Sequence, residues 1–164
     1  MTNMLGTFAR LQGLLAMLDV KLAELDAAIK KSADPDTDGL LDHIEYIVGV
    51  GLVATQQFIS ETSVFTGLNK DKAYSMGPRH RSGIAYIQAI DSAANYWKHE
   101  AEWWRELDAL QSSSLKTRVH VGTIADCTDY QLSNFLFALS DNYEIRLKCL
   151  VPIITKWLDE LKIL

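Results

Sequence analysis

Cysteine and proline are scarce in this chain of 164 residues, which holds two cysteines and three prolines. Cys127 and Cys149 form no CxxC motif, and no Cys/His cluster has the spacing of a zinc site, which excludes a disulfide scaffold and a zinc finger. The longest apolar run, Ile47–Ala54, is shorter than the ~20 residues that a membrane helix needs. The first ten residues lack the features of a signal peptide. We therefore expect a cytoplasmic protein with reduced thiols and no membrane contact.

Motifs that mark several common enzyme classes are also missing. The chain contains no GxSxG, GxxxxGKS/T, GxGxxG or HExxH motif, which argues against hydrolase, P-loop, dinucleotide-binding and metalloprotease functions. Apolar residues make up 48% and charged residues 23% of the chain, the usual proportions for a soluble globular protein. This composition and length predict one domain over residues 1–164, for which we expect no metal and no cofactor.

Positive charge is concentrated in one short segment of an otherwise acidic chain. The formal net charge is −5, yet residues 67–82 carry +3, which leaves −8 for the rest. The charged residues of this connector are Lys70, Asp71, Lys72, Arg79 and Arg81. They form either a solvated loop in contact with acidic surface nearby or a phosphate-binding loop at the start of the following helix, whose dipole attracts anions. The net acidity argues against nonspecific binding of duplex DNA.

Apolar residues recur with helical rather than strand periodicity along most of the chain. From Met4 to Ile29 they alternate at spacings of four and three residues, which is typical of a helix packed lengthwise on another helix. The same pattern predicts further helices at about Leu40–Phe65, Gly83–Leu110, Thr128–Leu139 and from Asp141 onward. The predicted fold is therefore all-α, an antiparallel bundle of four long helices plus one short helix.

Local features refine this picture. Gly49 and Gly51, inside the second helix, each cost ~1 kcal/mol of helix propensity relative to alanine, which close approach of a neighbouring helix or a ligand would offset. Ser112–Cys127 predicts a long loop. Thr128-Asp-Tyr-Gln131 predicts a capping box that opens the short helix. Pro152 predicts a kink in the last helix.

The third helix has an unusual polar side. Asn95 and His99 are four residues apart and are therefore neighbours on the helix, with Tyr96 and Trp103 beside them. In one interpretation the aromatic rings pack under a loop or in a subunit interface, and His99 is their polar neighbour. In another, His99 is an acid–base or ligand-contacting group that Asn95 and Glu102 orient. Metal binding by His99 and Glu102 is the third, although no second histidine lies at helical spacing.

The hexapeptide Ala94-Asn-Tyr-Trp-Lys-His99 resembles the signature of HEPN (higher eukaryotes and prokaryotes nucleotide-binding) domains. In that signature an arginine precedes a histidine by four to six residues, often with an asparagine directly after the arginine. The family fold is a bundle of four or five helices that often dimerises so that two signatures line a cleft. Active members cut RNA without a metal ion, and many belong to bacterial toxin–antitoxin or phage-defence systems. Asn95 and His99 match the signature, whereas Ala94 replaces the arginine.

This resemblance, with the charge pattern, assigns candidate roles. They are catalysis by His99 and Asn95, phosphate binding by Arg79, Arg81, Lys70 and Lys72, and a homodimer interface formed by exposed Tyr96 and Trp103. We expect a HEPN-like protein of prokaryotic or phage type that binds RNA or a protein partner; if it is an enzyme, the family implies a metal-independent endoribonuclease. The alternative is a noncatalytic antitoxin-, immunity- or regulator-like interaction module, which the missing arginine favours because no fixed cation contacts phosphate.

Overall fold

The computed structural model describes residues 4–103 and 112–162, and this part of the chain forms seven α-helices. They are α1 Met4–Ile29, α2 Leu40–Thr66, α3 Lys70–Tyr74, α4 Tyr86–Trp103, α5 Ser112–Ala125, α6 Gln131–Leu139 and α7 Leu150–Glu160, with a 3₁₀ turn at Leu147–Cys149. The all-α class is confirmed. The described part of the chain has seven α-helices, more than the four long helices and one short helix predicted, and several of them are short. None of them combines the length and the hydropathy that crossing a membrane requires.

Helix α1 packs along α2 in antiparallel orientation. Phe8 stacks on Phe58 with ring centroids 5.3 Å apart, and the Thr62 hydroxyl donates to the Met4 sulfur at 3.3 Å, so residue numbers run in opposite directions along the contact. The buried side chains of α1 follow the predicted repeat: Phe8, Leu11, Leu15, Leu22 and Leu25. A single apolar stripe is sufficient to pack α1 because only this side of the helix faces the rest of the fold.

Helix α2 lies at the centre of the fold, in contact with α1, α4 and α6. A Cβ on Gly49 would lie 2.3 Å from the Trp97 indole, and one on Gly51 would lie 2.5 Å from the Leu147 side chain. The close approach expected at these two glycines is therefore present. Buried apolar side chains from all seven helices form one hydrophobic cluster.

Residues 112–125 are helical, so the prediction of a loop over Ser112–Cys127 is wrong. Helix α5 packs on α4 and α6, and its buried residues are Val121, Ile124 and Ala125. Because these lie at its C-terminal end, most of the helix shows no apolar period in the sequence. Packing on two neighbouring helices, rather than periodicity, stabilises it.

The last helix begins at Leu150 and not near Asp141. Tyr143 has a φ of 54°, which places it in the left-handed region and interrupts a helix. Pro152 consequently falls in the first turn of α7, where its missing N–H removes no intrahelical hydrogen bond. The predicted kink at Pro152 is therefore wrong.

The predicted third helix, Gly83–Leu110, corresponds to α4 as far as Trp103, and its residues 104–110 lie outside the described part of the chain. Tyr96, expected on its polar side, is only 8% exposed, and Ser92, one helical turn before it, is 7% exposed. Helix α5 covers this face, and His120 Nδ1 lies 2.9 Å from the Ser92 hydroxyl. Helix α4 is thus packed between α2 and α5, and a helix with neighbours on two sides has no single apolar face.

Candidate functional site

His99 lies near the end of α4, where 47% of its side chain is exposed. Its Nδ1 is 3.1 Å from the Glu102 carboxylate, and its ring stacks on Trp103 with centroids 6.3 Å apart. The predicted contact between His99 and Glu102 is therefore present. Such a carboxylate fixes the orientation of an imidazole, as acid–base chemistry requires.

Asn95, the other candidate catalytic residue, faces α2. Its Oδ1 accepts from Gln56 Nε2 at 2.9 Å, and its Nδ2 donates to Asp91 Oδ2 at 3.4 Å. Gln56 also donates to Asp91 at 2.8 Å and accepts from Lys98 Nζ at 2.8 Å. The Asn95 amide thus belongs to the contact between α2 and α4, and none of these bonds joins it to His99.

Tyr96 is buried, so the expectation of an exposed Tyr96 is wrong. Its hydroxyl donates to Glu100 Oε1 at 3.0 Å, and its ring meets Trp103 edge to face, with centroids 5.7 Å apart. Burial and the negative charge of Glu100 raise the pKa of the Tyr96 hydroxyl. Trp103 is partly exposed beside His99, and an interface role for it stays a prediction.

The two arginines of the connector lie at the other end of α4 from His99. Arg79 donates to the Ser75 carbonyl at 2.7 Å and to the Gly83 carbonyl at 2.9 Å, so its guanidinium closes the loop that precedes α4. Arg81 is exposed in the same loop. Helix α4 rises by about 20 Å from its first residue to His99. Within one chain, neither arginine therefore reaches His99 to stand in for the one missing from the signature.

Lys70 and Lys72 lie on α3. The Lys70 ammonium is 4.0 Å from Asp91 Oδ2 and 4.8 Å from the centre of the Tyr74 ring, while Lys72 is exposed. Lys70 thus contacts the carboxylate that also bonds to Gln56 and Asn95. Phosphate binding by the connector stays a prediction.

A second candidate site is a cleft of about 670 Å³ lined by residues of α2, α4 and the segments that precede α2 and α6. Five of its eleven lining residues carry a carboxylate and none is basic. The carboxylates are Asp36, Asp42, Glu45, Glu100 and Asp129, and the other lining residues are Tyr46, Tyr96, Trp97, Thr128, Tyr130 and Gln131. We call this site the acidic cleft.

Glu45 lines the acidic cleft and caps α6. It accepts the backbone N–H groups of Leu132 at 3.0 Å and Ser133 at 2.7 Å, and the Ser133 hydroxyl also donates to it. Tyr130, the residue before α6, has a φ of 48°. The helix therefore opens on a carboxylate from α2, and the predicted capping box at 128–131 is wrong. Burial raises the pKa of Glu45, although the bonds from Ser133 and Leu132 act in the opposite direction.

Two tyrosine hydroxyls contact carboxylates in the acidic cleft. Tyr130 donates to Asp36, and this hydrogen bond is the main cause that raises the pKa of Tyr130 to about 12. Tyr96 donates to Glu100, as described above. Among the described residues, Asp42 and Asp129 make no side-chain ion pair or hydrogen bond through their carboxylates. These two remain available to a ligand.

One wall of the acidic cleft is aromatic. Tyr46 is 59% exposed and meets the Trp97 indole edge to face, with centroids 5.5 Å apart. Gln131, also in the lining, has a buried Oε1 with no hydrogen-bond partner. The carboxylates and π faces together suit an organic cation that donates hydrogen bonds. Within residues 4–103 and 112–162, no group of three or more His, Cys, Asp or Glu side chains is placed to hold a metal ion.

The sequence carried one overlooked signal of the acidic cleft. Glu45 precedes the buried residues Val48 and Gly49 by three and four positions, so it lies on the buried stripe of an apolar helix. A carboxylate at such a position needs partners elsewhere in the fold. Asp36 and Asp129 are distant in sequence, and no local pattern indicates that they meet.

A scan against models of protein families found no match, and searches of curated proteins and of solved structures found none.

Proposed function

We propose that this chain is a noncatalytic interaction module that binds a basic segment of a partner protein in the acidic cleft. The observation that carries this proposal is a concave surface with five carboxylates, an aromatic wall and no basic residue in its lining. The net charge of −5 supports it, since an acidic protein attracts basic partners.

Charge is the first argument. Three of the cleft carboxylates, on Asp36, Glu45 and Glu100, accept hydrogen bonds from this chain. The lining contains no lysine or arginine, although the charge of Arg118 on α5 reaches Tyr96. Clustered like charges repel, and a bound ammonium or guanidinium removes that repulsion. Asp42 and Asp129 supply the acceptors.

Among basic side chains, the shape and chemistry of the acidic cleft favour arginine as the group that binds. A guanidinium bonds a carboxylate with two parallel N–H groups and stacks on an aromatic face at the same time. The exposed Tyr46 ring and the Trp97 indole offer such a face beside Asp42. The volume of about 670 Å³ exceeds that of one side chain, which favours a peptide segment over a single small cation.

RNA engagement by a HEPN-like site is the competing function. His99 and Glu102 are in contact, but Asn95 bonds to Gln56 and Asp91, and the signature has alanine at position 94. We propose accordingly that this chain resembles noncatalytic members of that family. RNA binding then becomes one outcome of the experiment below.

The test measures fluorescence anisotropy of a labelled hexa-arginine peptide, a hexa-glutamate peptide and a single-stranded RNA hexamer against the full chain. We expect binding of the arginine peptide only. Asp42→Asn/Asp129→Asn should weaken it at least about tenfold, which corresponds to about 1.4 kcal/mol.

A matched control changes net charge equally outside the acidic cleft. Glu61→Gln/Asp159→Asn alters two exposed carboxylates on α2 and α7, and it should leave the affinity within about twofold. Equal weakening by both double variants would show nonspecific attraction and overturn the proposal. Preferential RNA binding that His99→Ala abolishes would overturn it in favour of the competing function.

A further inference from the structure

The outward side of α1 carries almost no charge. With 100° between successive residues, ten residues lie within about 60° of Gly13, on the side opposite the buried stripe. They are Gly6, Ala9, Arg10, Gly13, Ala16, Met17, Val20, Glu24, Ala27 and Ala28. We call them the outer face of α1. Solvent-facing helix sides are ordinarily polar or charged, and here only Arg10 and Glu24 are.

The apolar residues of this face lie open to solvent in the single chain. Met17 is 71% exposed and Val20 is 62% exposed. A Cβ on Gly13 would meet nothing within 4 Å, so nothing in this chain's fold offsets its cost of ~1 kcal/mol in helix propensity. Gly49 differs, because the Trp97 indole fills the space above it. Small residues on an open face allow the backbone of a second helix to approach closely.

The two charged residues of the outer face indicate which kind of helix packs against it. Arg10 and Glu24 lie seven residues before and seven residues after Met17. Within the chain both are exposed, with Arg10 donating to the Thr7 hydroxyl at 2.9 Å and Glu24 accepting from Lys21 Nζ at 3.0 Å. If a second copy of α1 packs antiparallel on the first, with Met17 at the two-fold axis, each Arg10 lies level with Glu24 of the other copy. A parallel pair would instead place arginine against arginine and glutamate against glutamate. The face is therefore complementary in charge to itself in one orientation only.

From this geometry we infer that the chain forms a homodimer in which two α1 helices pack antiparallel through their outer faces, centred on Met17. The contact spans Gly6 to Ala28, about 33 Å of helix. It moves the predicted self-interface away from Trp103 on α4, and it involves no residue of the acidic cleft.

Sedimentation equilibrium of the full chain between about 1 and 200 μM tests the inference. We expect a dimer that Met17→Glu weakens at least about tenfold, because the substitution places two carboxylates together at the axis. The matched control is Val119→Glu on α5, a position 61% exposed, which should leave the dimer unchanged. Circular dichroism verifies that both variants fold, as neither residue is buried.

Charge exchange tests the orientation. Arg10→Glu and Glu24→Arg should each weaken the dimer, and the double variant should restore it to within about threefold. A chain that stays monomeric at 200 μM, or a dimer indifferent to Met17→Glu, overturns the inference. A double variant as weak as the single ones overturns the antiparallel arrangement.

Discussion

The indole of Trp97 lies directly over the backbone of Gly49, where an added Cβ would stand 2.3 Å from the Cδ1 and Nε1 atoms of the ring. This relationship joins α2 to α4 at the edge of the acidic cleft, since Trp97 also lines the cleft. The ring is rigid and also meets Tyr46 of α2 edge to face, so a methyl group at position 49 would force it out of this packing.

Gly49→Ala should therefore destabilise the protein by about 1–3 kcal/mol, because overpacking outweighs the gain of ~1 kcal/mol in helix propensity. Denaturant unfolding followed by tryptophan fluorescence measures this change. Gly122→Ala is the matched control, since a Cβ at Gly122 meets nothing within 4 Å, and we expect it to stabilise the protein by up to ~1 kcal/mol. A Gly49→Ala variant as stable as the wild type would contradict the close packing described.

Glu45→Ala should remove the cap of α6. The substitution leaves the N–H groups of Leu132 and Ser133 without their acceptor, at an expected cost of about 1–2 kcal/mol at neutral pH. Burial raises the pKa of Glu45, so the folded state binds its proton more tightly than the unfolded state. The stability that Glu45 contributes consequently falls as the pH rises from the ordinary carboxyl pKa to the raised value.

Urea unfolding of the wild type and Glu45→Ala at several pH values measures both effects. The difference in unfolding free energy between them should widen as the solution is acidified through the raised pKa. Glu61→Ala, at an exposed position on the same helix, should change stability by less than about 0.5 kcal/mol at every pH.

Arg79 and Arg81 should differ in their effect on stability. Arg79 bonds to the carbonyls of Ser75 and Gly83, so Arg79→Ala should cost about 1 kcal/mol, whereas Arg81→Ala should cost less than about 0.5 kcal/mol. Thermal unfolding by circular dichroism compares the two. Equal melting temperatures, together with a loss of RNA affinity in Arg79→Ala, would support the phosphate-binding prediction instead.

His120 should make the protein less stable in mild acid. Burial is the main cause that lowers the pKa of His120, and nearby Lys116 adds to it. The unfolded state therefore binds a proton that the folded state excludes, and stability is lost as the pH falls below the ordinary histidine pKa of about 6.5. The ring is only half-buried, so we expect an effect below about 1.4 kcal/mol.

The measurement compares melting temperatures of the wild type and His120→Gln between pH 7 and pH 5. The variant should lose less stability over this range, since glutamine does not titrate. Burial also lowers the pKa of His80, so His80→Gln/His120→Gln should have the flattest profile. If both variants lost as much stability as the wild type between pH 7 and pH 5, the role given to His120 and His80 would be contradicted.

The local sequence pattern was sufficient to predict the first two helices and the all-α class. The repeat from Met4 to Ile29 predicts α1 because one side of α1 packs and the other does not. The same logic fails for α5, whose buried residues lie at one end, and for Tyr96, which is buried although it was expected to be exposed. Periodicity reports a single buried face and no more.

The candidate functional residues, too, could be predicted only in part from the sequence. Asn95 and His99 are neighbours along one helix, and sequence spacing alone places them there. Asn95 bonds both to Gln56 of α2 and to Asp91 of its own helix, whereas Glu102, the partner of His99, comes from the same helix alone. The acidic cleft owes its existence to tertiary structure, because Asp36, Glu45 and Asp129 lie on segments that only the packing of α2, α4 and α6 brings together. Short-range propensity acts over a few residues, whereas a cleft is a property of contacts between distant ones.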